Sequence, residues 1–150
     1  MKYTTRVIIN QPLELVTKEY KSRKNMKHWQ KGFVSVEPLV IEEEKTGTTV
    51  KLIYRIGKKE IEVTETIILM DLPESIHRTF DSKNIYNIQE NNFEKLPNGS
   101  TKWTSTNEFR FSGSLKFMKP FLYAAFKNKS YMQMQNFKVF IEDGKSVLMD

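Results

Sequence analysis

The chain has 150 residues, of which 39% are hydrophobic and 28% charged, and it carries a formal net charge of +6. That length fits one domain with a single sizeable core, and the balance of apolar and charged residues excludes a disordered chain. It contains no cysteine, which excludes disulfide frameworks, thiol nucleophiles and cysteine-ligated metal sites.

Residues 2 to 9, KYTTRVII, are branched and aromatic as strands are. Asn10 then stands where a helix N-cap belongs, and Pro12 falls near the first turn, where its fixed φ and missing N–H are harmless. A short helix is expected over about 12 to 20, followed by a second short helical or irregular segment over 24 to 29 and a break at Gly32. Between Lys18 and Lys31 the basic residues Lys18, Lys21, Arg23, Lys24, Lys27 and Lys31 face only Glu19. Such a cluster attracts phosphates, carboxylates or an acidic membrane surface, or else forms a solvated face.

Six further strands are expected, over 33 to 44, 48 to 56, 59 to 70, 75 to 81, 84 to 95 and 100 to 111. Their connections are too short for parallel crossovers, so the pairing is antiparallel. From Leu115 to Gly144 the pattern becomes helical, with Phe126, Ser130, Gln133, Phe137 and Ile141 on one stripe and Pro120 marking a first turn or a kink. A helix of about 28 residues is about 42 Å long, enough to lie across a seven-stranded sheet but not to fill a curved one. The fold class is therefore α+β with space expected between sheet and helix, in one domain over 1–150 whose residues 143–150 form a polar tail.

Turn chemistry sets which side chains face that space. A Gly57-Lys58 turn opposes Ile56 with Lys59, Tyr54 with Ile61, Leu52 with Val63 and Val50 with Glu65, which puts Glu65 indoors with Val63, Ile67 and Leu69. A two-residue Asn98-Gly99 turn opposes Tyr86 with Phe111, Ile88 with Phe109, Glu90 with Asn107 and Asn92 with Ser105. A three-residue turn with a glycine bulge would instead oppose Gln89 with Asn107. We adopt the first because it hides Tyr86 and Ile88. The inward set then includes Glu65, Glu90, Asn92, Ser105 and Asn107, too polar for a dry core and suited to a wet or ligand-filled cavity.

The order of these elements, with INQPLELV, HWQKGFVSVEPL, LPNGSTKWTSTNEFRF and the ending YMQMQNFKVFIEDG, resembles the START-like superfamily called SRPBCC, which includes polyketide cyclase/dehydrase-like, pollen-allergen-like and lipid-transfer proteins. The resemblance covers nearly the whole chain. It implies the helix-grip fold, a curved seven-stranded antiparallel sheet around a long C-terminal helix, with two short helices after the first strand and a deep pocket between. It implies no single activity.

The expected function is binding of a small hydrophobic or amphipathic molecule, lipid-like or polyketide-like. Tyr54, Tyr86, Ile88, Trp103, Phe109, Phe126 and Phe137 are the expected walls, and Glu90, Ser105 and Asn107 the polar anchors. Lys21, Arg23, Lys24 and Lys27 are expected at its rim. One alternative is a cyclase or dehydratase using Glu65 or Glu90, whose pKa burial could raise toward the working range. Another is an adaptor whose basic 18–31 segment docks on an acidic membrane or partner. Hydrolase, zincin, P-loop and dinucleotide motifs are missing, and His28 and His77 stand apart, so neither a metal nor another cofactor is expected. Nucleic-acid motifs are missing as well. No apolar run is long enough to span a bilayer, and together with the missing cysteines this leads us to expect a soluble cytoplasmic protein.

Overall fold

A computed structural model describes residues 1–149. Seven strands form one antiparallel sheet: β1 (Lys2–Ile9), β2 (Phe33–Glu37), β3 (Thr49–Ile56), β4 (Lys59–Asp71), β5 (Ser75–Ser82), β6 (Ile85–Lys95) and β7 (Thr101–Phe111). The spatial order is β1-β7-β6-β5-β4-β3-β2, so the first two strands in sequence are its two edges. Helices α1 (Leu13–Lys21) and α2 (Met26–Trp29) connect those edges, and α3 (Lys119–Asp143) lies along the inner side against β1. This is the seven-stranded sheet, long terminal helix and pair of short helices expected from the sequence.

The β3–β4 register matches the expected one pair for pair, from Ile56↔Lys59 to Val50↔Glu65. Its turn glycine, Gly57, has φ 62°, a conformation glycine adopts without strain. One bulge modifies the inner face: the β4–β5 register shifts between Ile67 and Leu69. Leu69 is thereby turned outward and exposed, while Met70 packs on the core in its place.

The β6–β7 register differs from the one adopted above by one residue on β6. Asn87 opposes Phe109, Gln89 opposes Asn107, and Asn91 opposes Ser105. The cause is the turn. Gly99 N–H donates to the Leu96 carbonyl, Leu96 N–H donates to the Ser100 carbonyl, and only Gly99 has positive φ, at 88°. That is a three-residue turn closed by a glycine bulge, with Pro97 at the position its locked φ favours; a two-residue turn would need Asn98 left-handed as well. A one-residue slip exchanges the faces of a strand. Tyr86, Ile88, Glu90 and Asn92 are accordingly on the outer face, and Ile85, Asn87, Gln89, Asn91 and Phe93 on the inner.

Other boundaries shift for local reasons. β2 stops at Glu37, before Pro38, which has no N–H to continue the ladder, so residues 38 to 44 are loop rather than strand. Helix α1 starts at Leu13 with Pro12 at its N-cap. Asn10 instead accepts from the Ser100 hydroxyl, and its N–H donates to Glu142. Pro120 is in the first turn of α3, which follows a 3-10 turn over Gly113–Met118. At the C-terminus Ser146 bonds to His28, Val147–Met149 makes a 3-10 turn, and Asp150 lies outside the described residues.

Besides a small cluster around Met26, Val50 and Leu52, the main core occupies one end of the sheet. Tyr20, Trp29, Phe93, Trp103 and Phe137 pack edge to face or stacked with ring centroids 5.0 to 6.2 Å apart, surrounded by Ile9, Val16, Ile67 and Ile76. Of α3, only Met134 and Phe137 are buried. Its N-terminal half stands over a hollow.

Candidate functional site

Between the sheet and the first half of α3 is a cavity of about 310 Å³, within the size range of small-molecule sites. Period-two alternation delivers its floor: Tyr54 from β3, Ile61, Val63 and Glu65 from β4, Arg78 and Phe80 from β5, Asn87 and Gln89 from β6, and Trp103, Ser105, Asn107 and Phe109 from β7. Phe126, Ser130 and Gln133 of the stripe that the helical spacing defines close it from above, with Met134 beside them.

One wall is a ladder of amides. Trp103 Nε1 donates to Asn91 Oδ1 (3.0 Å), Asn91 Nδ2 to Gln89 Oε1 (2.9 Å), and Gln89 Nε2 to Asn107 Oδ1 (3.1 Å). Asn87 Nδ2 also donates to Asn107 Oδ1 (3.2 Å), and Asn107 Nδ2 donates to Ser105 Oγ (3.3 Å). Asn107, which interrupts the aromatics of β7, is thus satisfied by the amides of β6, and the Ser105 hydroxyl accepts from Asn107 on its own strand, as buried polar groups require. Among the described residues the Ser105 hydroxyl proton and the second Asn107 amide proton have no acceptor.

Beside this ladder, where Arg78 of β5 is the register partner of Gln89, the floor carries charge. Glu65, 2% exposed, is gripped by Arg23, whose Nη1 and Nη2 donate to its two oxygens at 3.0 and 2.6 Å. Arg78 Nε lies 3.3 Å from Glu65 Oε1, an ion pair without hydrogen-bond alignment. Arg78 Nη1 donates to the Tyr20 hydroxyl (2.8 Å), and Arg23 also binds Glu44 of the loop after β2. Desolvation pushes the Glu65 carboxyl up, but Arg78 and Arg23 outweigh it and hold it below its ordinary value. The Tyr54 hydroxyl donates to Gln30 Oε1 at 2.5 Å, and burial raises it far above the ordinary tyrosine range, so it stays a neutral donor.

Of the expected site residues, Tyr54, Trp103, Ser105, Asn107, Phe109 and Phe126 are brought together around the cavity, with Lys21 and Arg23 beside them. The others are placed elsewhere. Tyr86, Ile88 and Glu90 are removed by the register of β6. Phe137 is 0% exposed and belongs to the packed core beyond the cavity. Lys24 and Lys27 are exposed and do not line it. Glu65 is indoors as expected but ionised between two guanidiniums, so it is not the proton-loaded acid that burial alone would produce. Sequence reasoning missed Arg78, although the alternation of Ile76, Arg78 and Phe80 marks it as inward, and missed Asn87, Gln89 and Asn91 through the register.

His28 stacks on Phe140 at 5.1 Å and its Nδ1 pairs with the Ser146 hydroxyl at 2.9 Å, a structural role. Among the described residues no three His, Cys, Asp or Glu side chains converge as a metal site, and no helix is long and apolar enough to cross a membrane.

No protein-family model and no curated protein sequence matches the chain. Solved structures do. A START superfamily protein from Mycobacterium smegmatis superposes with a TM-score of 0.79 at 10% identity, covering 96% of this chain and 99% of that one. The Zhui aromatase/cyclase from Streptomyces sp. R1128 gives a TM-score of 0.74 at 13% identity, covering 98% and 99%. Ara h 8.0201 gives 0.73 at 15% identity, covering 94% and 97%. With its strand order, its helix α3 and its likeness to these structures, the chain has the helix-grip fold that the sequence resemblance implied.

Proposed function

We propose that this protein binds a small amphipathic molecule in the cavity between the sheet and α3. The observation that carries the reading is the two-sided lining: apolar and aromatic side chains such as Val63, Phe80, Phe109 and Phe126 on one part of the wall, and the amide ladder ending at Ser105 and Asn107 on another. Such a surface suits a hydrophobic body with a polar group that accepts from Ser105 and Asn107. The fold shared with a START superfamily protein and with an aromatase/cyclase supports a ligand-holding role. The cyclase reading loses its two carboxylates, since Glu90 is on the outer face and Glu65 is committed to Arg23 and Arg78.

Native mass spectrometry of freshly purified protein tests for a co-purified molecule, and titration with 1-anilinonaphthalene-8-sulfonate tests the cavity directly. Saturable binding at one site per chain is expected, abolished by Ile61→Trp, which fills the space. Asn107→Leu is expected to weaken a co-purified polar ligand about tenfold, the worth of one buried hydrogen bond. Probe binding that Ile61→Trp leaves unchanged in a folded protein would place the ligand elsewhere.

A further inference from the structure

The antiparallel register brings three chain reversals to the end of the fold away from the aromatic core: Ile56 to Lys59 between β3 and β4, Ser82 to Ile85 between β5 and β6, and the segment from Phe111 into α3. The last two touch, since the Ser112 N–H donates to the Asn84 carbonyl (3.1 Å) and the Ser112 hydroxyl pairs with Asn84 Oδ1 (3.2 Å). The cavity lies at this end, for Ile56, Ile61, Ser82, Ile85 and Phe126 are among its lining.

What these reversals present to solvent is unusual in two ways. Phe117 and Phe121 are each 76% exposed, with Met118 and Ile56 also in solvent; large apolar side chains left out in this number mark an interaction surface. The same three segments carry the exposed lysines Lys58, Lys59, Lys83, Lys116 and Lys119 and contain no acidic residue. From Phe109 to Ile141 the chain has none at all, against Arg110, Lys116, Lys119, Lys127, Lys129 and Lys138. The carboxylates that flank the three segments in the chain are Glu60, paired with Arg55 at 3.1 Å, Asp81, and Glu108, paired with Arg110 at 3.0 Å.

We propose that this end of the molecule docks on an anionic lipid bilayer, with Phe117, Met118 and Phe121 entering the headgroup region and the lysines facing lipid phosphates and carboxylates. Charge complementarity selects this occupant: single-sign lysines around projecting aromatic side chains suit an anionic interface whose depth accepts the rings and whose surface neutralises the charge. Phe117, Met118 and Phe121 project from one segment and line no part of the cavity, while the lysines come from all three reversals. The site is distinct from the basic 18–31 segment and does not depend on what the cavity holds. Its position at the cavity end would let a membrane-soluble molecule pass between bilayer and cavity without crossing bulk water.

The test is sedimentation of the full chain with phosphatidylcholine vesicles and with the same vesicles doped with phosphatidylserine. Capture is expected only by the doped vesicles, weakening as salt is raised. F117S/F121S is expected to lose about tenfold or more in affinity per side chain, and K116Q/K119Q about fivefold per lysine. All four positions are exposed, so circular dichroism and thermal melting should be unchanged. No capture of the unaltered chain by doped vesicles would overturn the proposal, as would full capture of both variants or loss of capture in K24Q/K27Q alone. A dimer in sedimentation velocity that F117S/F121S converts to monomer would assign the surface to a second copy and overturn it too. Anilinonaphthalene sulfonate binding in solution is expected to survive in the docking variants, which separates failure here from failure of the cavity reading.

Discussion

Glu65 illustrates how a neighbour reverses what burial does to a side chain. Alone in this interior its carboxyl would be pushed toward the neutral form; between Arg23 and Arg78 its pKa falls below the ordinary 4.5. Because the folded value is the lower one, the group stabilises the fold fully above the unfolded value, and that contribution is lost as pH falls through the folded value. Urea denaturation across the acid range should show this loss in the unaltered chain and a flatter profile in Glu65→Gln. At neutral pH the same variant should be less stable by about 3–5 kcal/mol, since it leaves two guanidinium charges short of a buried partner. Trp103→Phe orphans Asn91 Oδ1, which is fully buried, and should cost about 1–3 kcal/mol by the same measurement.

At the scale of the elements, turns decide faces. In the β3–β4 hairpin the apolar alternation and the Gly57 turn agree, so the sequence is sufficient to read it. In the β6–β7 hairpin the two faces of β6 are alike, with Tyr86, Ile88 and Asn92 on one and Asn87, Asn91 and Phe93 on the other, and Pro97-Asn98-Gly99 serves two turn types; burial of Tyr86 and Ile88 favoured the wrong one. The bulged turn needs left-handed backbone at Gly99 alone, with φ 88°. Gly99→Ala should therefore cost about 1 kcal/mol in thermal or chemical denaturation. Gly32→Ala should cost more, because a Cβ there would sit 2.6 Å from the Arg55 carbonyl oxygen while φ is also positive, at 86°. An equal or smaller effect at Gly32 would contradict the close β2–β3 approach.

Across the whole molecule the work is divided between the two ends of the sheet. One end is close-packed around Phe137, and the other is hollow under Phe126. Phe137→Ala should lower stability by about 3–5 kcal/mol, as a large deletion in a filled core does. Phe126→Ala, at a site already bordering space, should cost less stability and weaken probe binding instead. Calorimetric melting with and without anilinonaphthalene sulfonate distinguishes the two, since a ligand that binds only the folded chain raises its melting temperature in proportion to the logarithm of its concentration. Equal stability losses in the two variants would contradict the division.

Strand number, antiparallel pairing, the terminal helix and its inward stripe were determined by the sequence itself, because hydrophobic periodicity and turn residues act over a few neighbouring positions. The partner of each polar side chain was not, because it depends on contacts between distant segments. Ser105 and Asn107 could be read as buried, but that Gln89 and Asn87 rather than Glu90 bond to Asn107 followed from a single bulged turn. Arg23 likewise reads as one charge in a basic run. Only the tertiary structure places it against Glu65, 42 positions away in the chain, since an ion pair of this kind is chosen by the approach of a short helix to a sheet and not by local preference.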